Sequence, residues 1–205
     1  MGILAQQLGQ EEALIRRIQS GDDAAFDRLV ELCSGRVYSL AFRMMGNADD
    51  AQDVAQEVFV RVYQAIPRFR YDATFSTWLY RIVVNACHDE AARRKRRPQT
   101  MSDATPDNES PDILDTLVAD GEPEDLYLRH ERQQALQQAL LELPENFRAV
   151  VILHDVQGLS YDEMAEVLHT GLGTIKSRLN RARNMLREKI YAHTELFGRK
   201  ASQTQ

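Results

Sequence analysis

Apolar residues recur at every third or fourth position along most of the chain, which is the period of an amphipathic α-helix. In the N-terminal half this pattern predicts a helix over 11–18 and a second helix that Asp22 caps and Gly46 ends. Two further helices are predicted over 48–65 and 75–92, and Pro67 stops the first of them. The alternation of apolar and polar residues that marks a β-strand does not occur.

The helical pattern is lost over 98–126 and resumes in the C-terminal half. This segment holds four prolines among polar residues, which favours a flexible linker. A helix is predicted over 127–141, and Pro144 predicts the first turn of another. The fold is therefore expected to be all-α, with two helical domains at 9–97 and 127–194 joined by the linker.

A helix-turn-helix is predicted in the C-terminal domain over 160–189. Ser160 and Glu163 have the spacing of a capping box, so a helix is expected to begin there. The apolar pattern breaks over 169–173, where two glycines permit a tight turn. The second helix is expected to begin at Leu172 or at the residue after it.

This second helix has one apolar face, one polar face and cationic margins. No Asp or Glu occurs between 171 and 187. Such a helix can read base edges of duplex DNA while its margins hold phosphates, although a solvated amphipathic helix has a similar charge pattern. Its apolar stripe consists of Ile175, Leu179, Ala182, Leu186 and Ile190.

The net charge of −6 conceals a segregation of charge along the chain. Residues 98–128 include nine acids and no Lys or Arg, whereas residues 93–97 form a basic run. Local patches decide contact with nucleic acid, so the acidic total does not exclude a DNA-binding protein.

The sequence predicts no catalytic centre, metal site or cofactor. Cys33 and Cys87 lie in apolar helical patterns, so buried, reduced thiols are expected. The histidines show no metal-ligand spacing with acids or thiols. The longest apolar run, 149–153, is too short to cross a bilayer, and no secretory signal is recognised, so a cytoplasmic protein is expected.

The predicted helix over 48–65 carries an exposed apolar residue on its polar face. Val60 lies there among Asp53, Gln56 and Glu57. A single exposed valine usually has no functional meaning, but one framed by acids and amides can form the centre of a protein-docking surface. The residues alone leave both interpretations open.

Aromatic and basic residues are interleaved between this helix and the next. The loop over 68–74 has the sequence RFRYDAT, and Phe75 and Trp78 follow it. Such residues can stack on unpaired bases and neutralise phosphates. For Trp78, a place in the apolar core is an equally open alternative.

The order and spacing of these segments resemble the sigma-70 family of bacterial RNA polymerase initiation factors, in particular its small two-domain extracytoplasmic-function members. In the N-terminal domain the similar runs are 50–63, DAQDVAQEVFVRVY, and 69–85, FRYDATFSTWLYRIVVN. In the C-terminal domain they are 158–163, GLSYDE, and 173–183, GTIKSRLNRAR. The chain departs from many members at 170–172, where those carry a proline ahead of Gly-Thr.

The resemblance implies a factor that directs polymerase to promoters through their −10 and −35 elements and promotes DNA melting by binding energy. The implied partners are core RNA polymerase, through its clamp helices and flap, promoter DNA and an anti-sigma factor. For the chain itself, no enzymatic activity, cofactor or membrane insertion is expected. The clamp surface comprises Asp50, Asp53, Gln56, Glu57 and Val60. The −10 surface comprises Arg70, Tyr71, Thr74, Phe75, Thr77, Trp78, Arg81 and Asn85. The −35 surface comprises Thr174, Lys176, Ser177, Asn180, Arg181 and Arg183.

Two other classes of protein stay open at this stage. One is a one-component helix-turn-helix regulator, which would need a sensory pocket or a dimer seam in the N-terminal domain. The other is an interaction module that titrates another factor, although both DNA-contact segments are present here. The acidic linker is interpreted either as a mimic of nucleic acid in a polymerase channel or as a soluble tether.

Overall fold

The computed structural model describes residues 2–96 and 123–201, and the side chains of 9–96 and 131–192. Within these ranges the regular elements are helices, so the predicted all-α fold is confirmed. Most of the predicted linker over 98–126 lies outside the described residues, as does Arg97 of the basic run. The helices are α1 Gly2–Gln19, α2 Asp23–Met45, α3 Ala48–Ala65, α4 Phe75–Arg96, α5 Pro123–Leu141, α6 Glu145–Val151, α7 Tyr161–Val167 and α8 Leu172–Ala201.

The helix ends of the N-terminal domain follow local capping chemistry. The Asp22 side chain accepts from the Ala25 backbone N–H at 3.2 Å, which confirms the predicted cap of α2. Gly46 ends α2 in the left-handed region, with φ of 75°. Helix α4 runs to Arg96, beyond the predicted end at 92, because a helix C-terminus favours the cations of the basic run.

The helices of the C-terminal domain agree with the predicted order but differ in their ends. Pro144 is the N-cap of α6, one residue before the predicted position, and a π-helical turn over Ile152–Val156 continues that helix. The predicted capping box is present. Ser160 donates its backbone N–H to Glu163 Oε2 at 2.8 Å, and Ser160 Oγ accepts from the Glu163 N–H at 3.3 Å.

The turn of the helix-turn-helix does not depend on its glycines, contrary to the sequence-based prediction. His169 takes the left-handed conformation with φ of 47°, while the positive-φ glycines lie elsewhere in the described chain. The Thr170 N–H bonds the Ala165 carbonyl at 3.0 Å, and the His169 N–H bonds that of Glu166 at 3.4 Å. These two bonds form a Schellman motif with histidine at the position that glycine usually holds. Helix α8 then begins at Leu172, as predicted.

The two domains pack directly against each other and share one apolar core. Leu141 of α5 lies over Gly46, where a Cβ atom would come within 2.3 Å of Leu141 Cδ1. The buried Leu140 and Leu143 extend the same core between the domains. The absence of a side chain at Gly46 therefore allows this close approach.

Arg148 and Gln137 bond the backbone across this contact. Arg148 donates to the carbonyl of Leu143 at 3.0 Å and also to that of Met44 in the last turn of α2. Gln137 Nε2 donates to the Phe42 carbonyl at 3.1 Å. The Met44 carbonyl lies in the last turn of α2, where carbonyls have no partner within the helix, so the bond from Arg148 satisfies a group that would otherwise need water. A Lys95–Glu145 ion pair of 2.7 Å adds a second link between the domains.

Candidate polymerase and nucleic-acid interfaces

Helix α3 separates its apolar and polar residues onto opposite faces. The inner stripe of Ala51, Val54, Val58 and Val62 is buried. On the outer face, Asp53, Gln56 and Glu57 are exposed, and Val60 is 52% exposed among them. Four of the five residues of the predicted clamp surface therefore form an accessible face, and the contact of this surface with polymerase stays a prediction.

A groove of about 390 Å³ runs between this face and α4. Arg61 bridges Glu57 and Asp89, with both ion pairs at 2.9 Å. Asp50 is half-buried and paired with Arg94; burial raises the pKa of Asp50, and the arginine opposes that shift. Sequence reasoning did not single out Arg61 and Asp89. The spacing of Glu57 and Arg61 was a local signal, but only packing brings Asp89 to them.

The predicted −10 loop is built on a cluster of aromatic rings. Phe69 is the hub: its ring centroid lies 4.8 Å from that of Tyr71 and 5.1 Å from that of Trp78. Phe75 lies 5.7 Å from Trp78. Phe69 and Phe75 are buried and Trp78 is half-buried, so Trp78 combines packing with an accessible edge.

The other residues of the −10 surface differ in exposure. Arg70, Tyr71, Thr74 and Asn85 are exposed, whereas Arg81 is half-buried. The Thr74 hydroxyl also caps α4, since it accepts from the Thr77 backbone N–H at 3.1 Å.

The C-terminal domain covers part of this surface. Thr77 is only 2% exposed, and its hydroxyl donates to Glu163 Oε1 of α7 at 3.3 Å. One turn further on, the buried Tyr80 donates its hydroxyl to Gln157 Oε1 at 2.9 Å. In this arrangement Thr77 faces α7 and not solvent.

The −35 surface is exposed at all six predicted residues. The inner stripe of α8 is buried at Ile175, Leu179 and Ala182, as the sequence pattern predicted. Arg183 forms a two-bond ion pair with Asp155, with Nε to Oδ2 at 3.0 Å, and this pairing raises the pKa of Arg183. Asp155 is a further functional candidate that no local sequence signal indicated.

A second cation of the −35 surface contacts its own domain. Lys176 Nζ lies 5.9 Å from the centroid of the Tyr161 ring, within the range of a cation–π interaction. The Tyr161 ring stacks on His154, whose Nδ1 is 2.7 Å from the Leu159 carbonyl oxygen. The start of α7 therefore orients one edge of the −35 surface.

The described residues contain no group of three or more His, Cys, Asp or Glu side chains that could hold a metal ion. Cys33 and Cys87 are buried, and both are free thiols as predicted. Burial raises the pKa of Cys33 to about 11 and that of Cys87 to about 12, which keeps both thiols protonated. Among the described helices, none has the length and hydropathy needed to cross a membrane.

Comparison with known proteins identifies the family of this chain. Residues 29–97 match the family model of Sigma-70 region 2, and residues 133–186 match that of Sigma-70, region 4. The ECF RNA polymerase sigma factor SigW of Bacillus subtilis is 38% identical over 178 residues, which are 86% of this chain and 94% of SigW. The chain belongs to the sigma-70 family. It is an extracytoplasmic-function (ECF) sigma factor, a promoter-recognising subunit of RNA polymerase, and members of this family are non-enzymatic initiation factors.

Solved structures share the fold of this sigma factor. That of CnrH in complex with the cytosolic domain of CnrY has a TM-score of 0.62 and 27% identity, and the match covers 89% of this chain and 98% of CnrH. That of the sigma factor RpoE from Bartonella quintana with the anti-sigma factor NepR has a TM-score of 0.60, 22% identity and coverage of 81% and 96%. The family models and the similarity to SigW do not favour a one-component regulator.

Proposed function

We propose that the two domains of this sigma factor recognise separate promoter elements. The N-terminal domain, 9–97, docks on core polymerase and binds the −10 element, and the C-terminal domain, 127–194, binds the −35 element. The segment 98–126 connects them, with its acids following the basic channel of the polymerase. The observation that best supports this division is the placement of an accessible acidic face and an aromatic loop on one domain and a cationic recognition helix on the other.

The clamp surface on α3 docks on the clamp helices of core polymerase. Val60 supplies the apolar centre of the contact, and Asp53, Gln56 and Glu57 surround it with acceptors. This composition agrees with interfaces that have an apolar core and a polar rim.

The −10 surface binds the opened DNA strand. The half-buried Trp78 offers a ring edge, and the exposed Arg70 and Tyr71 lie on the same loop. Base–aromatic stacking contributes about 1–3 kcal/mol per base, which is comparable to the few kcal/mol that extruding a base costs. Binding energy is therefore of the right size to favour melting without a hydrolysis step.

The −35 surface reads duplex DNA from the first three turns of α8. Ser177, Asn180 and Arg181 are exposed on its polar face, where they can reach base edges. Arg183 and Lys176, which contact Asp155 and the Tyr161 ring, fit a phosphate-binding margin.

This sigma factor acts by binding alone, in the cytoplasm where promoters and polymerase are found. An anti-sigma factor is proposed as its regulator. The support is the likeness to CnrH, which was solved with the cytosolic domain of another protein. Polymerase contact is proposed to include the flap, through the C-terminal domain.

Run-off transcription with purified core polymerase on a genomic promoter library tests the overall function. Initiation that depends on this chain is expected, and the start sites will reveal the promoter sequence. Equal transcription with and without the chain would overturn the proposal.

Charge reversal at the centre of α3 tests the clamp surface. We expect Asp53→Arg to abolish co-purification with core polymerase, because it places a cation in an acidic docking face, while the circular dichroism spectrum stays unchanged. The exposed Gln52, on the same helix, provides the matched control Gln52→Arg. Retention of the Asp53→Arg variant on core polymerase would contradict the assignment.

Truncation of Arg181 tests the −35 surface. If Arg181 reads a base, Arg181→Ala will weaken binding to the −35 duplex by about 1–3 kcal/mol and relax specificity at one position. A uniform loss across all sequences with a smaller salt dependence would instead identify a phosphate contact. Competition binding with single-base variants of the duplex separates the two results.

A further inference from the structure

We propose that α1 is part of the −10 reader, with Gln19 and Glu11 as positioning residues for its loop and for the start of α4. The proposal rests on the proposed role of the −10 surface. The Sigma-70 region 2 match begins at residue 29, so α1 lies outside the segment that the family model covers. The match to the family model therefore does not include the contacts of α1 with the −10 loop, whereas the tertiary structure shows them.

Gln19, the last residue of α1, holds the loop by three hydrogen bonds. Its amide Nε2 donates to the Ile66 carbonyl at 3.1 Å and to the Phe69 carbonyl at 2.9 Å. Its Oε1 accepts from the Tyr71 hydroxyl at 3.4 Å. One side chain thus links the beginning, the aromatic hub and the tip of the loop.

The loop needs such support because its tip has a strained backbone. Tyr71 has a φ of 60°, a left-handed conformation that costs of order 1 kcal/mol or more for a residue with a bulky side chain. The tyrosine ring packs on Phe69, and its hydroxyl bonds Gln19. Gln19 therefore favours the loop conformation in which Phe69 packs against both Tyr71 and Trp78.

Glu11 supports the first turn of α4 indirectly, through Arg36 of α2. It is 2% exposed and forms an ion pair with Arg36 of α2. Arg36 in turn donates to Ser76 Oγ at 3.2 Å, and Ser76 lies between two residues of the −10 surface. Without the carboxylate, the half-buried guanidinium would lose its charge partner and its fixed position under α4.

The test measures strand binding by the polymerase holoenzyme and, in a separate sample of the free chain, the fluorescence of Trp78. Trp78 is the only tryptophan in this chain, so in the free full-length chain its fluorescence reports the loop alone. The probe is a labelled single-stranded oligonucleotide with the −10 sequence of a promoter that the wild-type holoenzyme transcribes. The variants are Gln19→Met, which keeps length and removes the amide, and Glu11→Gln, which removes the charge.

Gln19→Met is expected to weaken strand binding roughly five- to tenfold, as the loss of two to three hydrogen bonds predicts. The emission maximum of Trp78 should shift, while binding to the −35 duplex and co-purification with core polymerase stay at wild-type levels. Gln19→Glu should lose as much, because its carboxylate would face two carbonyl oxygens. Glu11→Gln should show the same selective loss of strand binding.

Two residues of α1 provide matched controls. Gln10 and Glu12 are exposed on the same helix, so Gln10→Met and Glu12→Gln repeat the chemistry away from the loop. Strand affinity of Gln19→Met equal to that of Gln10→Met would overturn the proposal, as would a parallel loss of −35 binding that marks general unfolding. If the wild-type holoenzyme does not bind the strand, or if it binds and Trp78→Ala does not weaken that binding, the −10 assignment itself fails.

Discussion

A single ion pair bears on the cations that α8 offers to DNA under the proposed function. Arg183 lies on the −35 surface but is held by Asp155 through two bonds. A guanidinium so paired must exchange a carboxylate for a phosphate when DNA binds, which reduces the net gain. If α8 binds DNA as proposed, Asp155 therefore limits the attraction of this helix to DNA of any sequence.

Removal of this acid should strengthen non-specific binding. We expect Asp155→Asn to raise the affinity for duplex DNA of unrelated sequence and to steepen its salt dependence by up to about one counterion, because Arg183 becomes free to hold a phosphate. Binding titrations at several salt concentrations measure the slope. Asp162→Asn removes an exposed acid of the neighbouring α7, and an equal effect of both variants would show that only net charge matters.

At the scale of elements, the ends of α3 determine where the clamp surface begins. The Asn47 side chain accepts from the Asp50 backbone N–H at 3.0 Å and caps the first turn. Pro67, in the 3₁₀ turn Ile66–Arg68, prevents the helix from continuing into the −10 loop. The clamp and −10 surfaces therefore share one boundary.

Loss of the Asn47 cap should lower the stability of the protein by an amount typical of helix N-caps. Asn47→Ala is expected to lower the free energy of unfolding by about 1 kcal/mol, since one backbone donor of the first turn loses its acceptor. Urea unfolding followed by circular dichroism measures the change. Gln52→Ala, at an exposed site on the same helix, should change stability by less than about 0.5 kcal/mol. Equal stabilities of the two variants would exclude a role for the cap.

For the whole molecule, the packed domains bring α7 over the start of α4. The bonds from Thr77 to Glu163 and from Tyr80 to Gln157 place C-terminal residues where the opened strand is proposed to bind. Strand binding at Thr77 therefore requires the domains to separate there. Under this proposal, the free energy of the domain contact reduces the favourable free energy of strand binding.

A variant with a weaker contact between the domains should then bind the strand more tightly. Gln157→Ala removes the acceptor of the Tyr80 hydroxyl and is expected to raise the affinity of the free full-length chain for the −10 oligonucleotide by roughly two- to tenfold. Fluorescence titration of Trp78 measures the affinity. The exposed Gln133 of α5 gives the control Gln133→Ala. Unchanged affinity in Gln157→Ala would show that the contact does not compete with the strand.

The domain contact should also depend on pH through Glu145. The hydrogen bond from Lys95 lowers the pKa of Glu145 below its ordinary value of 4.5. Its stabilising contribution is therefore present above that value and is lost as the pH falls through the folded-state pKa. Wild type should be more stable than Glu145→Gln at neutral pH, with the difference vanishing at acid pH. A difference in urea unfolding that is independent of pH would contradict this origin.

The parts of the site that could be predicted are those set by neighbours in sequence. The apolar stripe of α8, the caps at Asp22 and Ser160 and the accessible Val60 all follow from helical period and local hydrogen bonding. The turn after α7 was predicted from two glycines that permit it, but the residue with the left-handed backbone is His169, which carries the Schellman bonds. Local chemistry predicted the presence of a turn here, but it did not predict the backbone conformation of that turn.

By itself the sequence determined the helices, their buried faces and the chemical character of the three surfaces, because each depends on residues three or four positions apart. Only the tertiary structure decided that Gln19 holds the loop, that Asp155 holds Arg183 and that α7 covers Thr77. These pairs are separated by 28 or more positions along the chain. No local period records such contacts, because they arise from how whole helices pack.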